Sequence, residues 1–271
     1  NALMKLTEGK VHLNLNGDYP PPPIFRDVQG VQVNKFSGPH PAGNVGIQIH
    51  HIDPVNKGEV VWTIGPQDVV LLGRLFETGQ YDASKVVALA GSEVLKPKYY
   101  RTISGAVINP IVKDNITEEN LRFISGNVLT GSKISVNGYL GYYDSQISVI
   151  PEGNYHEFFG WAKPGFNKFS YSHSFFSRLN PSRKWRLDTN LHGGHRSLVM
   201  TGKYEKVLPM DIFPMQFIKS ILIEDIDLME KLGIYEVAPE DFALCEFICT
   251  SKTNIQAIIR KGLDLMKKEM S

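Results

Sequence analysis

The chain has 271 residues, is 42% hydrophobic and 21% charged, and carries a formal net charge of +1. That is enough polypeptide for about two domains and the balance of an ordinary globular protein, with no global electrostatic footprint for nucleic acid. No apolar run approaches the roughly 18 residues that span a bilayer, and two cysteines exclude a disulfide framework and make a reducing cytoplasm the default compartment. The opening Asn-Ala-Leu-Met-Lys lacks the basic-then-apolar plan of a signal peptide; without an initiator Met, Asn1-Ala2 reads as the start of a truncated fragment.

Tyr19-Pro-Pro-Pro-Pro23 forces an extended segment that can neither continue a helix nor join a central strand. It suits a rigid connector better than a ligand for an aromatic groove. Phe36 to Val55 then packs three glycines, three prolines, three histidines and an aspartate into twenty residues. Gly38 and Gly43 have the spacing of a phosphate loop, but Asn44 and Val45 stand where it needs Lys and Ser or Thr. Gly38, Gly43 and Gly46 also miss the dinucleotide fingerprint. Val45–Ile52 fits either a strand or a helix by its apolar pattern.

Residues 60–91 read as a βαβ unit. Val60–Ile64 is a strand, Gly65-Pro66 opens a helix that Gly79 ends, and Lys85–Ala90 is a buried parallel strand. From Lys98 to Gly160 the pattern changes to short strands at Tyr100–Ile103, Asn127–Leu129, Lys133–Val136 and Gln146–Ile150, with one short helix over Thr117–Arg122. A small antiparallel sheet with a helix suits a β-grasp domain. Residues 161–205 interleave aromatic and basic side chains, among them Trp161, Phe166, Trp185, Lys163 and Arg186. Single-stranded nucleic-acid binders use such a mixture, but in a neutral chain a protein-contact surface or loop packing fits better. From Met210 the chain reads as helical: Pro214–Glu224, Asp225–Leu232 stopped by Gly233, Pro239–Ile248, and Asn254–Met270 ending in Lys267-Lys268.

The chemistry-bearing residues form no active site. Cys245 and Cys249 lie one helical turn apart, with no other cysteine to complete a four-cysteine cluster or zinc site, so two buried core thiols is the reading. His50-His51 with Asp53, and His192-Gly-Gly-His195, do not match a helical HExxH, and no metal site is expected. There is no GxSxG elbow. Glu118-Glu119 and Glu240-Asp241 sit at expected helix starts, where dipole compensation explains them.

Phe36-Ser-Gly-Pro-His-Pro-Ala-Gly43 with His50 and Asp53-Pro54 resembles the signature of the A subunit of the bacterial sodium-translocating NADH:quinone reductase. The match continues, in order, through Gly73-Arg-Leu-Phe76, Ile124-Ser-Gly126, Val149-Ile-Pro-Glu-Gly153, Lys163-Pro-Gly165, Leu208-Pro-Met-Asp-Ile212 and Glu240-Asp-Phe-Ala-Leu-Cys245. The resemblance implies a multidomain α/β and α+β protein. Its parts would be a partial Rossmann-like α/β domain at 1–97, a β-grasp domain of the soluble-ligand-binding type at 98–160, a linking segment at 161–208 and a C-terminal helical domain at 209–271. It also implies a longer natural subunit whose N-terminal part is missing here.

The function so implied is that of a peripheral subunit on the cytoplasmic face of the bacterial inner membrane. The complex couples NADH oxidation and quinone reduction to sodium export, using NADH, flavins, iron–sulfur and quinone as a whole. This chain would act in assembly, docking chiefly on the membrane B subunit, and in quinone access. Relatives in respiratory complex I hold an iron–sulfur cluster by four cysteines; only Cys245 and Cys249 remain here, so no redox cofactor is expected in this chain. Gly38, His40, Gly43, Gly46, His50 and Asp53 are the signature-loop residues whose role matters most. The competing readings are a self-contained NADH or flavin dehydrogenase module and a histidine-based metal hydrolase.

Overall fold

The computed structural model describes residues 2–117, 120–180 and 182–270. In chain order it contains β1 (His12–Asn16), β2 (Gln32–Phe36), α1 (Val45–Ile52), α2 (Pro66–Thr78), β3 (Ser84–Ala90), β4 (Lys98–Ile103), the single turn α3 (Asn109–Val112), β5 (Leu121–Ser125), β6 (Ser132–Ile134) and β7 (Gln146–Pro151). The helices α4 (Pro214–Leu222), α5 (Ile226–Lys231), α6 (Ala243–Ile248) and α7 (Ile255–Met270) follow. The result is a mixed α/β protein with a C-terminal helical region. It divides into two compact units, Asn1–Thr63 with His195–Ser271, and Ile64–Gly194.

In the first unit, β1 and β2 pair in parallel, with Asn14 opposite Asn34. The helical core forms around Phe217 and Phe242, whose rings stack at 5.8 Å between centroids. Ile218, Ile221, Met229, Ile255 and Ile259 complete it, and Ile47 of α1 joins the same cluster. Apolar residues on α4 and α7 fall at helical spacing, so each buries one stripe. The two helices approach closely at Gly262, where a Cβ would lie 2.9 Å from Ile221. Proline opens α4, and Gly233, at φ +92°, supplies the left-handed turn after α5.

In the second unit a five-stranded mixed sheet runs in the order β4-β3-β7-β5-β6. β3 is antiparallel to β4 and parallel to β7, while β5 is antiparallel to both β6 and β7. Val87, Leu89, Ile147 and Val149 point into a core shared with Ile108 and Val112. The segment after β7 is fastened back by ion pairs. Arg122 pairs with Glu152, which also takes Lys133 Nζ at 3.0 Å and the Thr189 hydroxyl at 2.9 Å. Glu93, only 2% exposed, accepts from Arg186 at 2.6 and 2.9 Å and from Thr117 at 2.7 Å.

Several expected elements differ. Val60–Ile64 is not a strand: its residues are exposed, Trp62 to 90%, and a strand without a neighbour leaves its backbone groups unpaired. The βαβ unit therefore lacks its first strand, although α2 starts at Pro66 and ends at Gly79 with φ +69° as expected. β3 alternates between buried and more open residues, with Val86 44% exposed, instead of being covered on both faces. Of the short helix expected over Thr117–Arg122, Glu118 and Glu119 lie outside the described residues; Leu121 and Arg122 are in β5, paired with Pro151 and Ile150. Asn127–Leu129 is a turn, because the Asn127 side chain accepts the N–H groups of Leu129 and Thr130 at 2.8 and 3.0 Å. The ambiguous Val45–Ile52 is a helix.

Candidate functional site

The signature residues take two different places. Gly38 (φ +128°), His40 and Gly43 form the exposed turn between β2 and α1, and Asp53 caps the end of α1 by giving its N–H to Ile49 O at 2.8 Å. Gly46, His50 and His51 instead lie on α1, and Asn44 immediately before it, where the helix meets the C-terminal helical region. Ile47 anchors that face in the core at 1% exposure.

Around this anchor the contacts are polar and specific. His50 Nδ1 donates to Glu236 Oε2 at 2.7 Å, and its Nε2 accepts the Asp211 N–H at 3.0 Å. Both ring nitrogens are thus hydrogen-bonded within the protein. His51 Nε2 donates to Pro209 O at 2.9 Å, and the Asn44 amide donates to Glu240 O at 3.2 Å.

Asp241 is the centre of this contact. It is 1% exposed, and its Oδ2 accepts the Ala238 N–H at 3.0 Å, capping the short 3-10 turn Pro239–Phe242. Among the described residues its Oδ1 is the buried side-chain atom without a hydrogen-bond partner. Burial pushes the carboxyl up to about 6, with the Glu240 charge adding and the Ala238 N–H, Asn44 and His50 opposing. Gly46 lies directly against it: a Cβ there would sit 2.2 Å from Oδ2. Glycine is required at this position for close approach, not for an unusual φ.

The two thiols are core residues as expected, at 0% and 2% exposure. Burial pushes the Cys245 thiol up to about 12. Burial also raises Cys249, but the Tyr204 hydroxyl at 3.0 Å and the nearby Thr253 and Ser251 N–H groups outweigh it and bring the thiol below its ordinary value. Among the described residues no group of three or more His, Cys, Asp or Glu is arranged to hold a metal ion. No described helix is long and apolar enough to cross a membrane.

The second unit carries a different feature, a cavity of about 550 Å³ lined by Trp161, Lys163, Ser170, Ser174, Phe175 and Phe176. Its surroundings expose much apolar area: Phe158 is 84% exposed, Trp161 79% and Phe166 62%. Lys168 and Lys163 both pair with Glu157, so part of the local positive charge is neutralised.

Residues 1–81 match the family model described as the NqrA second alpha/beta domain, and residues 86–136 match the one described as the NQRA C-terminal domain. The Na(+)-translocating NADH-quinone reductase A subunit of Rhodopirellula baltica is 43% identical over 270 residues, covering 99% of this chain and 59% of the relative. The corresponding proteins of Hahella chejuensis and Shewanella frigidimarina are 41% and 40% identical, each covering 99% of this chain and 60% of the relative. The chain belongs to this A-subunit family. It spans about 60% of the length of the curated relatives it matches.

Asp241, Glu236 and Asp211 are the contact partners of Gly46 and His50 that the sequence alone did not point to. Glu240-Asp241 reads as a helix start, which the Ala238 cap bears out, but the burial against Gly46 has no local signal.

Proposed function

We propose that this chain is a scaffold portion of a peripheral subunit of a sodium-translocating NADH:quinone reductase, at the cytoplasmic face of the bacterial inner membrane. Its task is assembly: it docks on other subunits, chiefly the membrane B subunit, and contributes to the path by which quinone reaches the complex. NADH, flavins and iron–sulfur centres belong to other chains. The cysteines are buried in the helical core and His50 spends both ring nitrogens on protein partners, which supports a chain without a redox cofactor of its own. For the fold we propose the partial Rossmann-like, β-grasp, linking and helical segments as their order along the sequence; in space β3 joins the sheet of the β-grasp segment.

The observation that carries the docking role is the exposed aromatic surface Phe158, Phe159, Trp161, Phe166 and Phe176, beside Lys163 and Lys168. Contiguous exposed aromatics of this kind mark protein interfaces, where aromatic side chains are enriched. The test is a pull-down of the full-length subunit with the membrane B subunit. Phe158→Ala with Trp161→Ala is expected to weaken binding about tenfold or more while leaving the fold intact; undiminished binding counts against this surface. A flavin absorption band in the purified full-length subunit would favour the dehydrogenase-module reading instead.

A further inference from the structure

The sheet formed by β1 and β2 is incomplete. It has two strands, paired in parallel, and none of its ten residues is buried. Parallel sheets ordinarily have both faces covered, and two strands alone are marginal in water. One face of this sheet is occupied by a polar row. Asn34 Nδ2 donates to Asn14 Oδ1 at 2.9 Å and lies 3.1 Å from His12 Nδ1, while Asn14 Nδ2 donates to Gln48 Oε1 on α1 at 2.9 Å. Alternation along the strands places Leu13, Leu15 and Val33 on the opposite face, with the exposed Lys35 at its end beside Leu15. Val33 is 43% exposed, and Leu13 and Leu15 are partly exposed. Among the described residues no strand pairs with the outer edge of either β1 or β2.

The missing cover has a source. The family model matched over residues 1–81 is that of a second α/β domain, and about 40% of the relatives' own length lies outside the part this chain matches. An open edge beside an apolar face is a template for another strand. We propose that the full subunit completes this sheet with a β-strand from the part of its own polypeptide outside this chain, laid along a free edge so that its side chains stand beside Leu13, Leu15 and Val33 and extend their face. The proposal rests on membership of the family and is independent of the docking role.

In a two-stranded sheet, alternate amides of β1 and β2 point away from their partner and are open to water. Hydrogen exchange on the full-length subunit, held as a monomer, therefore reads the proposal directly. The expected result is that these outward amides of 12–16 and 32–36 exchange at least about a hundredfold more slowly than those of the exposed 60–63 loop. Exchange as fast as in that loop overturns it. Protection that vanishes when dimers dissociate on dilution, or that needs the membrane B subunit, also overturns it by naming a different occupant. Val33→Asp in the full-length subunit is expected to speed exchange in the portion outside this chain, whereas Val199→Asp, at a similarly exposed position, leaves that portion unchanged. Equal effects of the two substitutions refute the assignment, and if Val33→Asp does not fold the wild-type measurement decides alone.

Discussion

Asp241→Asn separates the electrostatic cost of the buried carboxyl from its packing. The side chain is 1% exposed, one oxygen caps Ala238, and the other has no partner among the described residues. Burial moves its pKa from 3.8 to about 6, a rise of about two units, equivalent to about 3 kcal/mol between the two protonation states. Because the folded state holds the proton more tightly than the unfolded one, the group supports folding fully below about pH 4 and loses that support as pH rises through about 6. Asparagine keeps an oxygen for the Ala238 N–H but cannot ionise. Relative to wild type, the variant should therefore gain about 2 kcal/mol between about pH 4.5 and about pH 7.5. Urea unfolding followed by far-UV circular dichroism at several pH values measures this, and the other carboxylates cancel in the difference. A wild-type-minus-variant difference that stays flat to within about 0.5 kcal/mol across that range would refute the argument.

Other substitutions probe the remaining contacts. Gly46→Ala puts a Cβ 2.2 Å from Asp241 Oδ2 and should lower stability by about 2 kcal/mol despite the better helix propensity of alanine; in thermal melts the loss should shrink when Asp241→Ala is present, and simple additivity would contradict the contact. His50→Ala removes the bonds to Glu236 and the Asp211 N–H and should cost about 1–2 kcal/mol; if His40→Ala, at the exposed turn, costs as much, the clasp is not on α1. Hydrogen bonds from Arg186 foremost, then Thr117 and Ser92, hold the Glu93 carboxyl at about 2 against its burial. Glu93→Gln should therefore cost about 2 kcal/mol near neutrality, discounted for the half-exposed Arg186, with the deficit fading as pH falls from about 5 toward about 2; a deficit independent of pH would exclude the ion pair as its cause. Cys245 and Cys249 should resist a thiol reagent in the native protein and react after unfolding, and prompt labelling of either would contradict the helical core.

Local punctuation accounts for the elements that are legible in the sequence. Pro66 and Gly79 bracket α2, Pro214 opens α4, and Gly233 ends the run after α5, because proline fixes its own φ for a first turn and glycine takes the left-handed stop without strain. The burial of Cys245 and Cys249 follows from their helical spacing among apolar neighbours. Val60–Ile64 and Asn127–Leu129 depart from expectation for opposite reasons. The first has strand-forming residues but no strand beside it, and the second has a side chain that takes over the backbone hydrogen bonds. Composition marks the stretch that holds the six signature residues as special, but it cannot separate Gly46 and His50, on α1, from Gly38, His40, Gly43 and Asp53.

By itself the sequence determined the family, the helical C-terminal region and the strangeness of the Phe36–Val55 stretch, since blocks of colinear identity and helix punctuation are local properties. Only the tertiary structure decided what that stretch meets. It places His50 on Glu236, 186 residues away, and packs Gly46 against the buried Asp241. It also leaves β1 and β2 as a two-stranded sheet with an open apolar face. The physical reason is that a glycine, a histidine or a strand edge records nothing locally about the distant group that meets it; burial and unpaired polar atoms exist only once the chain has folded.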